Sequence, residues 1–248
     1  MKPLVRAVRS GLLERRDPVR ALGMQAYMKS KMPYLGLYTV QVRAVCREAF
    51  AAHPLFGFHE WQETVLDLWN EATFREERYV AIELTGDRRY RIHQTPAALG
   101  LYEELIVTGA WWDYVDPVAT NRLGQMLRAH RAELTPVMHA WSTDPHLWKR
   151  RTSIICQVGA KAATDLDLLF ACIEPNLADR DFFIRKAIGW ALREYAKTDP
   201  DETARYVAAH HDRLSGLSRR EALKQVAGSQ PPGSQPPASQ PEAHRRPR

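Results

Sequence analysis

Asp-Pro occurs four times in this chain, at Asp17-Pro18, Asp116-Pro117, Asp144-Pro145 and Asp199-Pro200, each time just before a stretch with helical periodicity. Asp accepts hydrogen bonds from the free N–H groups that open a helix. Pro suits the first helical position, where the N–H it lacks would have no partner. Further helix starts are expected at Thr95-Pro96, at Asp179 and at Ser218, the last with Glu221 as a capping box. The one strand-like stretch, 39–45, alternates briefly. Val42, Val45, Cys46, Ala49 and Phe50 also share one helical face, and that period predicts a helix. Roughly ten to twelve helices joined by short loops predict an all-α chain, an α-solenoid of HEAT-like antiparallel helix pairs. A compact orthogonal bundle is the competing arrangement.

The length of 248 residues allows one large domain or two small ones, and 45% apolar content is that of a globular chain. No apolar run is long enough to span a bilayer. The N-terminal stretch carries charges through its apolar residues, so no signal peptide is expected and a cytoplasmic location is. Cys46, Cys156 and Cys172 lack the spacing of a disulfide framework or a zinc site. The net charge of +6 is compatible with nucleic acid without singling it out. From Gly228 the composition changes to GSQPPGSQPPASQPEAHRRPR, which has no aliphatic residue larger than Ala. The division expected is therefore a folded body over 1–227 and a disordered Gln/Pro/Ser-rich tail over 228–248.

Three stretches depart from ordinary helix patterning. In 180–197, Ile184, Ile188, Ala191 and Tyr195 form an apolar face, and Lys186, Trp190, Arg193 and Lys197 line the other side. An indole within a basic stripe suits a nucleic acid; packing against a neighbouring helix is the plainer reading. In 145–160, Arg151 interrupts the apolar face of Leu147, Ile154 and Val158. A guanidinium keeps its charge, so it must meet a carboxylate, a phosphate or solvent. In 111–117, two adjacent tryptophans precede Asp116, which is placed to cap a helix starting at Pro117. The positive end of a helix would keep that carboxylate ionised beside aromatic faces, a setting for a cation or a cationic transition state.

The segments MQAYMKSKMPYLGL (24–37), WWDYVD (111–116), WKRRT (148–152) and FIRKAIGWALREYAK (183–197) together resemble the AlkD-like DNA glycosylases of the DNA alkylation repair family, built of HEAT-like repeats. They span most of the body and stand in family order, with Arg151 35 residues and Trp190 74 residues after Asp116. The resemblance implies a catalytic carboxylate at Asp116, aromatic walls at Trp112 and Trp190, and a cationic site residue at Arg151 that holds a phosphate or positions Asp116. It places Tyr27 near the DNA, with Lys29, Lys31, Arg150, Lys186 and Arg193 as candidate phosphate contacts on a concave basic surface. Trp111 and Asp113 are left to pack or orient. It implies a monomer that uses no metal or cofactor and acts on double-stranded DNA carrying alkylated bases, nucleoid-associated when bound. The expected reaction is hydrolysis of the N-glycosidic bond of N3- or N7-alkylated purines in base-excision repair. The rival expectations are a non-catalytic HEAT-like DNA-damage or DNA-structure binder and a helical-repeat protein scaffold.

Overall fold

The computed structural model describes residues 1–226, so the tail expected from Gly228 lies outside the described residues. The described residues contain no strand and fourteen α-helices. They are α1 (Pro3–Glu14), α2 (Pro18–Met28), α3 (Thr39–Ala52), α4 (Gly57–Asn70), α5 (Arg75–Thr85), α6 (Leu99–Gly109) and α7 (Trp112–Pro117). There follow α8 (Gly124–Ala129), α9 (Arg131–Ser142), α10 (Leu147–Ile155), α11 (Leu166–Ile173), α12 (Phe182–Ala196), α13 (Pro200–Ala209) and α14 (Gly216–Ala222). The ambiguous 39–45 stretch is the start of α3, which buries Val42, Val45, Cys46, Ala49 and Phe50 as its helical period requires.

The arrangement is α-solenoid-like. Helices α3, α5, α7, α10 and α12 pack each on the next in one row, and α4, α6, α9 and α11 pack behind it. One apolar cluster runs from Leu4 to Cys172. A second gathers Ile154, Ile184, Ile188, Leu192 and Tyr206 around α10 and α12. The three cysteines are free and buried, and burial pushes their thiols well above the usual range.

The acidic residues expected to open helices do not all act as caps. Asp17 and Asp199 cap α2 and α13, accepting from the backbone N–H of Arg20 (3.0 Å) and Glu202 (2.8 Å). Asp144 instead accepts from His146 N–H at 2.8 Å, and Asp179 from Asp181 N–H at 2.7 Å. These two brace the loops just ahead of α10 and α12, which start at Leu147 and Phe182. Thr95 precedes a short 3-10 turn, Pro96–Ala98, that leads into α6. Ser215, not Ser218, caps α14.

The largest departure is at Asp116. It does not cap a helix at Pro117; α7 has already begun at Trp112, and the chain continues through Pro117 into a π-helical turn, Val118–Leu123. Proline has no N–H to close the regular ladder, so the backbone widens there, and Thr120 Oγ1 donates to the Asp116 carbonyl at 2.8 Å. Early entry into the helix buries Tyr114 and Val115 on the core side, and that packing outweighs the preference of Pro for a first-turn position.

The segment between α2 and α3 is held by a buried carboxylate. Glu76, fully buried at the start of α5, accepts from the backbone N–H groups of Leu35 (2.9 Å), Gly36 (2.8 Å) and Leu37 (3.1 Å). Gly36 has φ +88°, and a Cβ there would overlap the Asp17 carbonyl oxygen. Gly36→Ala therefore combines left-handed strain with a backbone clash. The expected loss is about 2–4 kcal/mol of unfolding free energy, read from the midpoint of urea denaturation.

Candidate active site

The row of helices α3, α5, α7, α10 and α12 brings to one side residues that are far apart in sequence. At its centre is a bidentate ion pair between α7 and α10. Arg151 Nε donates to Asp116 Oδ1 at 2.8 Å, and Nη2 donates to Oδ2 at 2.7 Å. The third guanidinium nitrogen, Nη1, donates to the carbonyl of Phe183 on α12 at 2.6 Å. All three nitrogens are thus engaged within the protein. Of the two roles left open for Arg151, positioning Asp116 is the one this geometry favours over clamping a phosphate.

The pair is only partly shielded: the Asp116 side chain retains 16% of its exposure and Arg151 6%. Burial raises the Asp116 carboxyl above its ordinary value, while the Arg151 hydrogen bonds and charge pull it down and nearby Asp113 adds a smaller upward push. The counter-charge is therefore a guanidinium and not the helix N-terminus expected from the Asp-Pro pair.

Behind this pair lies an aromatic block. Trp111, the N-cap of α7, meets Phe183 with ring centroids 5.4 Å apart, and Phe183 meets Trp148 at 5.0 Å. Trp111 thus packs, and its neighbour Trp112 is left exposed. Trp112 and the exposed Tyr27 line one cleft of about 410 Å³ together with Tyr38, Met24, Asp113 and Pro117. The structure brings Tyr27 and Trp112 together, and Asp116 directly precedes the Pro117 that lines this cleft. Trp190 is half-buried on α12 and packs against the second apolar cluster.

Asp113 sits in a hydrogen-bond network the sequence did not announce. Arg75 Nη2 donates to both Asp113 oxygens (2.6 and 2.7 Å), Tyr79 OH donates to Oδ2 at 2.6 Å, and the Tyr34 and Tyr79 hydroxyls are 2.8 Å apart. The Arg75 guanidinium also lies over the Tyr114 ring at 4.1 Å. The 24–37 segment is thereby tied to the helix that carries Asp116. Arg75 lies in the charged run REER, which carries no local signal of its partners.

The candidate phosphate contacts divide. Lys29 and Lys31 are exposed and form no ion pair among the described residues. Arg150 pairs with Asp179 at 3.0 Å. Lys186 and Arg193 both reach Glu221 of α14, at 3.3 and 2.7 Å, so the stripe on α12 is packed under a short C-terminal helix and partly neutralised. Lys197 pairs with Glu194.

The family model of DNA alkylation repair enzymes matches residues 8–226 of the chain. A solved structure described as a predicted DNA alkylation repair enzyme from Enterococcus faecalis is similar, with a TM-score of 0.78 and 27% identity over 86% of this chain and 97% of that one. No curated protein matches.

Proposed function

The chain belongs to the DNA alkylation repair enzyme family, and from that premise we propose that it is a monofunctional DNA glycosylase. Its substrates are N3- and N7-alkylated purines in duplex DNA, acted on by a cytoplasmic monomer. The observation that carries the reading is the Asp116 carboxylate, held on a two-point guanidinium fork and still partly open to solvent.

The chemistry asks little of an acid. Alkylation at N3 or N7 has already made the base cationic. When the C1′–N bond breaks, its electron pair neutralises the departing base, and no proton is needed. Positive charge moves to the sugar, and a water oxygen then bonds to C1′ while its proton passes to Asp116 or to solvent. A fixed carboxylate is complementary to that charge movement, because it stabilises the oxocarbenium-like sugar more than the ground state. Arg151 holds the carboxylate oxygens in place without using up their remaining lone pairs. Trp112 and Trp190 are assigned aromatic contacts to the cationic nucleoside, and Tyr27, Lys29 and Lys31 contacts to the DNA beside it.

The test is release of free base from a duplex bearing one N7-methylguanine, followed at single turnover. Borohydride is expected to trap no covalent adduct, since no lysine nucleophile takes part. Absence of release from this and other cationic lesions, with duplex binding intact, would replace the glycosylase reading by a non-catalytic damage binder.

The Asp116–Arg151 pair also dictates a pH dependence. The ionised carboxylate is the active form, so base release falls as pH drops through the Asp116 pKa, which lies above the ordinary carboxylate value. Arg151→Gln removes the charge that opposes the burial effect, so the acid limb of the pH–rate profile should move to higher pH. Arg151→Lys, which keeps the charge, should move it less. A uniform loss of rate in both variants with an unmoved acid limb would show that Arg151 acts otherwise.

A further inference from the structure

Two further clefts adjoin the aromatic one, linked to it by shared lining residues. The aromatic cleft near Trp112 is bordered by Arg43 and Glu83. These two also border a neighbouring cleft that reaches Gly86, Asp87 and Arg88, and those three in turn border a third cleft of about 190 Å³. Arg88, Arg91 and Arg122 converge on this third cleft.

None of these three arginines has an ion pair among the described residues. The two acidic groups nearby are engaged elsewhere: Asp87, which itself lines the cleft, pairs with Arg89 at 2.9 Å, and Glu83 pairs with Arg43 at 2.9 Å. Arg122 is the decisive member. It is half-buried, and among the described residues its side chain makes a single hydrogen bond, from Nε to Thr85 Oγ1 at 3.1 Å, so both terminal nitrogens lack an acceptor there. Partly desolvated guanidinium groups are costly without a counter-ion. The backbone is also shaped for this one. Gly86 lies directly beneath the guanidinium, where a Cβ would overlap Nη2 and Cζ of Arg122. Gly86 has φ −103°, a conformation open to any residue. Its missing side chain therefore serves the approach of Arg122 and not a backbone turn.

We infer that Arg88, Arg91 and Arg122, seated over Gly86, form a binding site for a phosphate group, filled by a backbone phosphodiester of the DNA at a distance from the lesion. The source of the phosphate rests on the glycosylase reading above; the chemistry of the site does not. Planar guanidinium forks match phosphate oxygens, and the continuity of the clefts places this clamp on the track that leads to Trp112.

Two variants test it. Arg122→Gln removes the charge. Gly86→Ala keeps every charge and displaces only the flexible end of Arg122, at little cost to folding. Both are expected to weaken duplex binding about tenfold and to lower the slope of log affinity against log salt by about one, with thermal stability retained. Inorganic phosphate, compared with chloride at equal ionic strength, is expected to raise the melting temperature of the wild type and not that of either variant. Unchanged duplex affinity and slope in both variants would overturn the DNA assignment, even if phosphate still stabilises the wild type. Loss in Arg122→Gln without loss in Gly86→Ala would overturn the built site in favour of diffuse charge. If the wild type fails to bind duplex at all, the glycosylase reading falls, and the phosphate arm alone decides whether this pocket is an anion site.

Discussion

Asp116→Asn is expected to lower single-turnover base release by about 10²–10⁴-fold, with the fold and the duplex affinity kept. The substitution preserves shape and removes the carboxylate charge that Arg151 holds in place. By comparison, a cation–π contact is worth about 0.5–2 kcal/mol, so Trp112→Ala should cost only about 2- to 30-fold. The ratio between the two variants is thus a measure of mechanism. Equal losses would mean that the aromatic wall and not the carboxylate carries the catalysis. The Asn variant has a structural side effect, since it leaves Arg151, 6% exposed, without its counter-charge. Adding Arg151→Met to it removes the unpaired guanidinium and leaves the position without a buried charge. The double variant should regain stability and remain as inactive as Asp116→Asn, which separates the charge on the substrate from the charge within the fold.

Much of this site was legible because its residues carry recognisable local physics. Arg151 in the middle of an apolar helix face had to find an anion or solvent, and the structure supplies Asp116. The 39–52 helix followed from its period. The Asp116 environment was misread because local capping preference was set against tertiary packing. Pro117 looked like the start of a helix, yet burying Tyr114 and Val115 starts the helix five residues earlier. The Arg75–Asp113–Tyr79–Tyr34 network and the pairing of Lys186 and Arg193 with Glu221 link residues 28 to 45 positions apart or on separate helices. A charged side chain reads the same in sequence whether it faces water or a partner, so such pairs have no local signature. The same limit explains Arg122. It reads as one arginine among many until the bare backbone of Gly86 appears beneath it.

Glu76→Ala is expected to destabilise the protein by about 3–5 kcal/mol, measured by urea denaturation. The side chain is fully buried and is the acceptor for three consecutive backbone N–H groups, those of Leu35, Gly36 and Leu37. Removing it strands all three in a space that a single water cannot fill with the same geometry. Glu76→Gln should cost less, because its amide oxygen still accepts on one side while its NH2 group opposes an N–H on the other. The functional effect should exceed what unfolding alone explains. Gly36 sits between Tyr34, which is bonded to Tyr79 and through it to Asp113, and the loop that returns to α3. A loosened 35–37 segment frees Tyr34 and the Tyr27 side of the cleft that Trp112 lines. Base release by Glu76→Gln, assayed well below its melting temperature, should therefore drop by more than its unfolded fraction. A drop that merely tracks the unfolded fraction would confine Glu76 to stability and uncouple the 24–37 segment from the chemistry at Asp116.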